Sequence, residues 1–120
     1  MDDKLFPVGG QTERFDAYVS FELPEGNVYQ SKGLEKHISK KHPDCMKYLD
    51  RIPEILNEPD YIGVNPKIPN SFELVKILDA NIQIAINLDL GENYLYVASL
   101  YDISDSKLRN RVNSGRYQRL

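Results

Sequence analysis

Thirteen residues, SKGLEKHISKKHP at 31–43, hold two histidines and four lysines in a chain whose formal net charge is −3. Histidine can take or give a proton near neutral pH. A neighbouring lysine lowers the histidine's proton affinity and offers a positive charge to an anion. On a helix His37 and Lys41 stand four residues apart and project from one side, at the edge of the Leu34/Ile38 stripe that should face a core. His37 is therefore a candidate general base at the margin of a cleft. The competing reading is a histidine half covered by neighbouring structure and bonded to a carbonyl. His42, directly before Pro43, can contact a phosphate, but a structural place at the bend between two helices suits it better. A metal set of His37, His42 and Cys45 is disfavoured, because a spacing of five puts the two histidines on different sides of a helix. Cys45 fits a small buried hydrophobe better than a nucleophile.

Three further places carry polar groups that can act on a ligand. In the run YLYVASLYDI, Ser99 and Tyr101 are two apart and share a strand face, so two hydroxyls lie side by side and can orient an oxyanion or donate a proton. Lys76 interrupts FELVKIL and is either a snorkelling edge residue or a cation reaching into a cleft. Ser114 and Arg116, in SGR, follow the last helical pattern, and the guanidinium there is suited to a bidentate grip on phosphate.

These groups need elements to position them. Residues 15–23 alternate apolar and polar with the period of a half-buried strand, and a turn at 24–27 leads to a short partner strand at 28–30. Ser31 is placed to cap a helix over 32–41. Pro43 suits the first turn of a new helix burying Met46 and Leu49, and Pro53 starts another that Pro59 closes. Short apolar runs at 61–64 and 72–78, a clean alternation at 82–88 and a run apolar on both faces at 94–103 read as four strands. Gly91-Glu92-Asn93 makes the tight reversal before the last, and the short loops make the sheet antiparallel. A final helix begins at Ser104 or Asp105 and ends at Ser114-Gly115. The order, helices, then an antiparallel sheet, then a short C-terminal helix, makes the fold class α+β. Residues 1–14 are expected as a flexible arm and residues 15–120 as one domain.

Composition narrows the function. A chain of 120 residues, 41% hydrophobic, suffices for one core. No apolar run is long enough to span a bilayer, and the start MDDKLFPVGG is acidic; a non-membrane, cytoplasmic protein is expected. The single cysteine admits no intrachain disulfide. The acidic total conceals two basic blocks. Lys32, Lys36, Lys40, Lys41, Lys47 and Arg51 face only Glu35, Asp44 and Asp50 in the first, and Lys107, Arg109, Arg111, Arg116 and Arg119 face only Asp105 in the second. If the blocks meet in the fold they make a local surface for a phosphodiester, without affinity for every polyanion. Two unrelated solvated helix faces would give the same counts.

The ordered set VYQSKGLEKHISKKHP, IPEILNEPDYIGVNPK, FELVKIL, IAINLDL, YLYVASLY and SGR, over roughly residues 28–117, resembles the phage-associated nuclease families of the barnase/EndoU/colicin/RelE-like superfamily, and looks most like the third of them. The resemblance implies N-terminal helices packed on a four-stranded antiparallel sheet, and metal-independent RNA cleavage without a cofactor, in which the substrate's 2′-hydroxyl attacks the adjacent phosphorus and leaves a 2′,3′-cyclic phosphate. It implies His37 as proton acceptor, Lys41 or Lys40 as stabiliser of the phosphorane, Ser99 and Tyr101 as phosphate-orienting or proton-donating groups, and Arg116 as a second cationic clamp. His42, Lys76 and Ser114 join the expected substrate contacts. RNA, tRNA among the candidates, is the implied substrate, in a phage or mobile-element toxin with a neutralising immunity or antitoxin partner. The alternative from another class is a non-catalytic module of the same fold that binds RNA or protein.

Overall fold

In the computed structural model, which describes residues 5–10 and 12–120, the chain runs β1 (Leu5–Gly9), a 3-10 helix (Thr12–Tyr18), β2 (Val28–Ser31), α1 (Gly33–Lys41), a second 3-10 helix (Pro43–Arg51), α2 (Ile52–Asn57), β3 (Tyr61–Gly63), β4 (Ser71–Ile77), β5 (Asn81–Asp89), β6 (Tyr94–Ile103), α3 (Asp105–Asn113) and β7 (Tyr117–Arg119). The fold is α+β, but the sheet is larger than the four antiparallel strands expected. It has seven strands in the order β1-β2-β6-β5-β4-β3-β7. The four expected strands are its contiguous antiparallel middle, β6 to β3. Short β1, β2 and β7 extend it, and β2 pairs parallel with β6, which makes the sheet mixed. The helices are therefore not a purely N-terminal layer: two strands precede α1, and a last helix and strand follow the sheet.

The first twenty residues depart furthest from the sequence reading. Residues 5–9, expected in a flexible arm, pair with β2; residues 1–4 and 11 of that arm lie outside the described residues. Residues 15–23, expected as a strand, are a 3-10 turn followed by loop. Both edges of β2 are already taken, by β1 and β6, so no ladder remains for them. Phe15 instead packs its ring on Phe72 at 5.6 Å, and Val19, Phe21 and Leu23 lie half-buried against the same core.

Between the strands the local chemistry is mostly as the residue types demand. Ser104 caps α3 by accepting from the Lys107 amide at 3.1 Å, and Gly115 ends it with φ 83°, the left-handed geometry glycine adopts without cost. Asp89 accepts from the amides of Gly91 and Glu92 and closes the β5–β6 hairpin. Ser31 does not cap α1; it belongs to β2, and Lys32 takes the cap position without a side-chain bond. The helix after Pro43 is 3-10 rather than α. Its period of three buries Cys45 and Tyr48, leaving Met46 and Leu49 half-covered.

Leu34, Ile38, Cys45, Tyr48, Ile52, Ile55 and Leu56 share one core with Phe72, Leu74, Ile82, Ile84, Ile86, Leu95, Val97 and Leu100, so the helical segment from 33 to 57 covers one face of the sheet. A smaller cluster of Val75, Ile103, Leu108 and Tyr117 holds α3 to the other face. The β5–β6 ladder slips once: Ala85 pairs with Ser99 but Ile86 with Val97, which leaves Ala98 as a bulge. The slip turns Val97, which strict alternation would set beside Ser99 and Tyr101, to the helix side. It also brings Tyr94 and Tyr96 onto the face of Ser99 and Tyr101. Among the described residues no helix is long and apolar enough to cross a membrane.

Candidate active site

On the α3 side of the sheet the central strands present polar groups in an otherwise apolar ladder. Glu73 and Gln83 are 4% and 0% exposed. Such groups are stable in a core only if every hydrogen-bonding atom finds a partner. The Gln83 amide nitrogen donates to Glu73 Oε2 at 2.9 Å and to the Tyr101 hydroxyl, while its oxygen accepts from Arg111 at 2.7 Å and lies against the Tyr117 hydroxyl. Glu73 Oε1 accepts from Arg116 at 2.7 Å and from the Tyr117 hydroxyl at 2.9 Å. Arg116 also donates to the Val64 carbonyl at 3.0 Å, and Arg111 to the Tyr117 hydroxyl at 2.7 Å.

The ladder explains why these side chains meet. Gln83 stands directly opposite Tyr101, and Glu73 two pairs along, opposite Ala85. Tyr117 lies on β7, two strands from Glu73, with Gly63 of β3 between them. A Cβ on Gly63 would fall 2.0 Å from Tyr117 Cδ1 and 2.6 Å from the Arg116 carbonyl oxygen, so only glycine lets the ring lie across β3 and reach Glu73. Ser114 fixes the turn beyond α3: its hydroxyl donates to the Arg111 carbonyl and accepts from the Arg116 amide. The guanidinium carbons of Arg111 and Arg116 sit 5.3 and 5.5 Å from the Tyr117 ring centre. Burial, with the Glu73 carboxylate adding to it, pushes the Tyr117 phenol well above the ordinary tyrosine range. Tyr117 thus remains a protonated donor.

Tyr101 differs from the rest of the assembly. Its hydroxyl oxygen accepts from Gln83, its own proton has no acceptor among the described residues, and its side chain is half-exposed and open to a ligand. The Ser99 hydroxyl, half-buried on the same face, has no hydrogen-bond partner among the described residues either. His42 leaves the end of α1 and stacks on the Tyr101 ring, with centroids 5.2 Å apart and planes 27° from parallel. Two half-exposed guanidinium groups against one carboxylate leave the assembly with a surplus positive charge beside these two hydroxyls. An oxyanion is the complementary ligand.

Of the residues expected to form a site, Tyr101 and Arg116 belong to one hydrogen-bonded assembly, with Ser99 on the same face, Ser114 bracing it and His42 at its rim. The structure does not bring the rest to it. His37, Lys40 and Lys41 are exposed on α1, and their side chains make no hydrogen bond, ion pair or ring contact with a described residue. Lys76 lies on the opposite face, where it donates to the Glu58 carbonyl at 2.9 Å. Cys45 is buried on the helix side with its thiol against Asp102 at 3.5 Å, and burial raises its pKa. Glu73, Gln83, Arg111 and Tyr117 were not anticipated. The available signal was a glutamate and a glutamine inside the apolar runs FELVKIL and NIQIAI, each of which had to find a buried partner.

A family model described as phage-Barnase-EndoU-ColicinE5/D-RelE like nuclease 3 matches residues 6–110. The match takes in β1 and ends within α3; Arg111, Arg116 and Tyr117 lie beyond it. No curated protein and no solved structure matches the chain.

Proposed function

The chain belongs to the phage-Barnase-EndoU-ColicinE5/D-RelE like nuclease 3 family, and within that nuclease family we propose that it is a metal-independent ribonuclease acting on the sheet face around Tyr101. The observation that carries this reading is the Tyr101 hydroxyl, which accepts from Gln83, has no acceptor of its own among the described residues and belongs to a ring stacked on His42. His42 takes the proton from a ribose 2′-hydroxyl. The oxygen then attacks the adjacent phosphorus, the 5′-oxygen leaves, and the products are a 2′,3′-cyclic phosphate and a 5′-hydroxyl end. Tyr101 donates its proton to the leaving oxygen, and Ser99 orients a non-bridging oxygen. Arg111 and Arg116 counter the charge that grows on the phosphorane, where fixed donors act most strongly. Glu73 and Gln83, too deeply buried to meet substrate, hold the arginines and Tyr101 in register.

His42 replaces His37 as the proton acceptor in this reading because it alone of the two touches Tyr101. His37, Lys40 and Lys41 serve as a cationic approach for the phosphate backbone. The test is incubation of the purified chain with RNA in excess chelator, followed by end analysis. Cyclic phosphate ends that disappear when the nucleotide 5′ of the cut carries a 2′-deoxyribose support the reading. Cleavage that requires a divalent ion, or that proceeds equally on DNA, refutes it.

A further inference from the structure

Tyr29, Tyr94 and Tyr96 form an aromatic patch on the sheet face that carries Ser99 and Tyr101. Tyr29 of β2 lies beside Tyr96 in the parallel ladder, the Tyr29 and Tyr94 rings meet edge to face at 5.8 Å, and the Tyr94 and Tyr96 rings lie 6.0 Å apart. All three are half-exposed. The cluster that holds α3 to this face lies at its other end, around Val75, Ile103 and Tyr117. Three large rings left uncovered beside a polar site do not contribute a core.

Their place relative to the site follows from β5, whose alternation is unbroken. Tyr96 pairs with Asn87, Ser99 with Ala85 and Tyr101 with Gln83, so all three project from one face, and Tyr96 lies four β5 residues from Tyr101. At ~3.3 Å per residue that is about 13 Å, a distance a few nucleotides cover. The Ala98 bulge is what permits this. With strict alternation Tyr94 and Tyr96 would point to the helices.

We propose that Tyr29, Tyr94 and Tyr96 are a stacking platform for unpaired bases flanking the scissile phosphate, so that the substrate class is single-stranded RNA. Aromatic faces hold any base without reading its edge, and stacking requires that the base be free of a duplex. Charge sets the direction in which the strand lies. Asp89 and Glu92 stand beside Tyr94 and disfavour phosphate there, whereas Arg111 and Arg116 favour it at the other end. The strand therefore lays its bases on the tyrosines and its reacting phosphate toward the arginines. This proposal rests on the ribonuclease reading for the identity of the ligand, not for its geometry.

Binding of a fluorescent, non-cleavable 2′-O-methyl oligoribonucleotide, single-stranded or closed into a hairpin of equal length, separates the two. The intact chain should prefer the single strand. Tyr96→Ala should weaken that binding tenfold or more, as expected for loss of a stacked base, and leave hairpin binding unchanged. Tyr96→Phe and Tyr94→Phe, which keep the rings, should retain single-strand binding. Equal binding of strand and hairpin, or binding that Tyr96→Ala leaves unchanged in a variant of unaltered circular dichroism, overturns the platform. Selective single-strand binding by a chain that cleaves no RNA would preserve the platform and refute only the catalytic reading.

Discussion

The imidazole of His42 lies over the Tyr101 ring with centroids 5.2 Å apart and planes 27° from parallel, although His42 ends α1 on one side of the sheet and Tyr101 belongs to the face on the other. The contact passes around the edge of β6, because β2 pairs with β6 only at Leu95 and Tyr96 and leaves the strand's later edge open. It joins the first basic block to the hydrogen-bonded assembly that contains two arginines of the second.

From this contact follows an ordering of the two histidines. His42→Ala should lower RNA cleavage by about 10²–10⁴-fold, the usual worth of a positioned acid or base. His37→Ala should change it only a few-fold through loss of steering charge. Initial rates on one RNA at fixed salt measure both, and a larger loss at His37 would return the role to mid-helix.

Gly63→Ala is expected to act at a distance. The added methyl would collide with the Tyr117 ring and the Arg116 carbonyl, and backbone cannot yield as a flexible side chain does. The cost should be about 3 kcal/mol, the upper range for overpacking, read as a shift in the urea midpoint. Cleavage by the remaining folded protein should fall as well, because Arg116 and Tyr117 move together.

Removal of Glu73 leaves the Arg116 guanidinium, the Tyr117 phenol and the Gln83 amide without their shared acceptor. Arg116 keeps 25% of its side chain exposed and can turn to water. Glu73→Ala should therefore cost about 2–3 kcal/mol, less than the ~3–5 kcal/mol of a fully buried pair. Glu73→Gln, which retains the shape and one acceptor, should cost less. Equal stability of Glu73→Ala and the unsubstituted chain would mean that the assembly is not what fixes α3 and β7.

Stability should fall in alkali. The Tyr117 pKa is raised in the fold, whereas a tyrosine in the unfolded chain ionises near pH ~10. Below that pH both states hold the proton and the contribution is fully present. Above it only the unfolded chain releases the proton, so stability is lost as pH rises. Denaturation midpoints between about pH 8 and 11 should decline less steeply in Tyr117→Phe, even though that variant starts lower through its lost hydrogen bonds.

How far the sequence was legible follows its periodicities. The four long or apolar strands, α1 and α3 could be read from alternation, helical spacing and the Ser104 and Gly115 signals. Ser99, Tyr101 and Arg116 were identifiable as polar groups with chemistry to offer. Three-residue strands such as β7 carry too few residues for a period, and the alternation at 15–23 was overridden because the sheet had no edge left for it. The Ala98 bulge is equally silent in sequence, yet it decides which residues share a face with Ser99. The Glu73–Gln83–Tyr117 assembly was missed because its members are far apart in the chain and joined only by the β4–β5–β6 register and the bare backbone of Gly63.

The most direct test of the central claim is end analysis of RNA cut in excess chelator by the intact chain and by His42→Ala and Tyr101→Phe. The account predicts 2′,3′-cyclic phosphate and 5′-hydroxyl ends from the intact chain, and at least a hundredfold slower appearance of the same ends from His42→Ala. Cleavage that the chelator abolishes, or that proceeds at the unsubstituted rate in both variants, would contradict it.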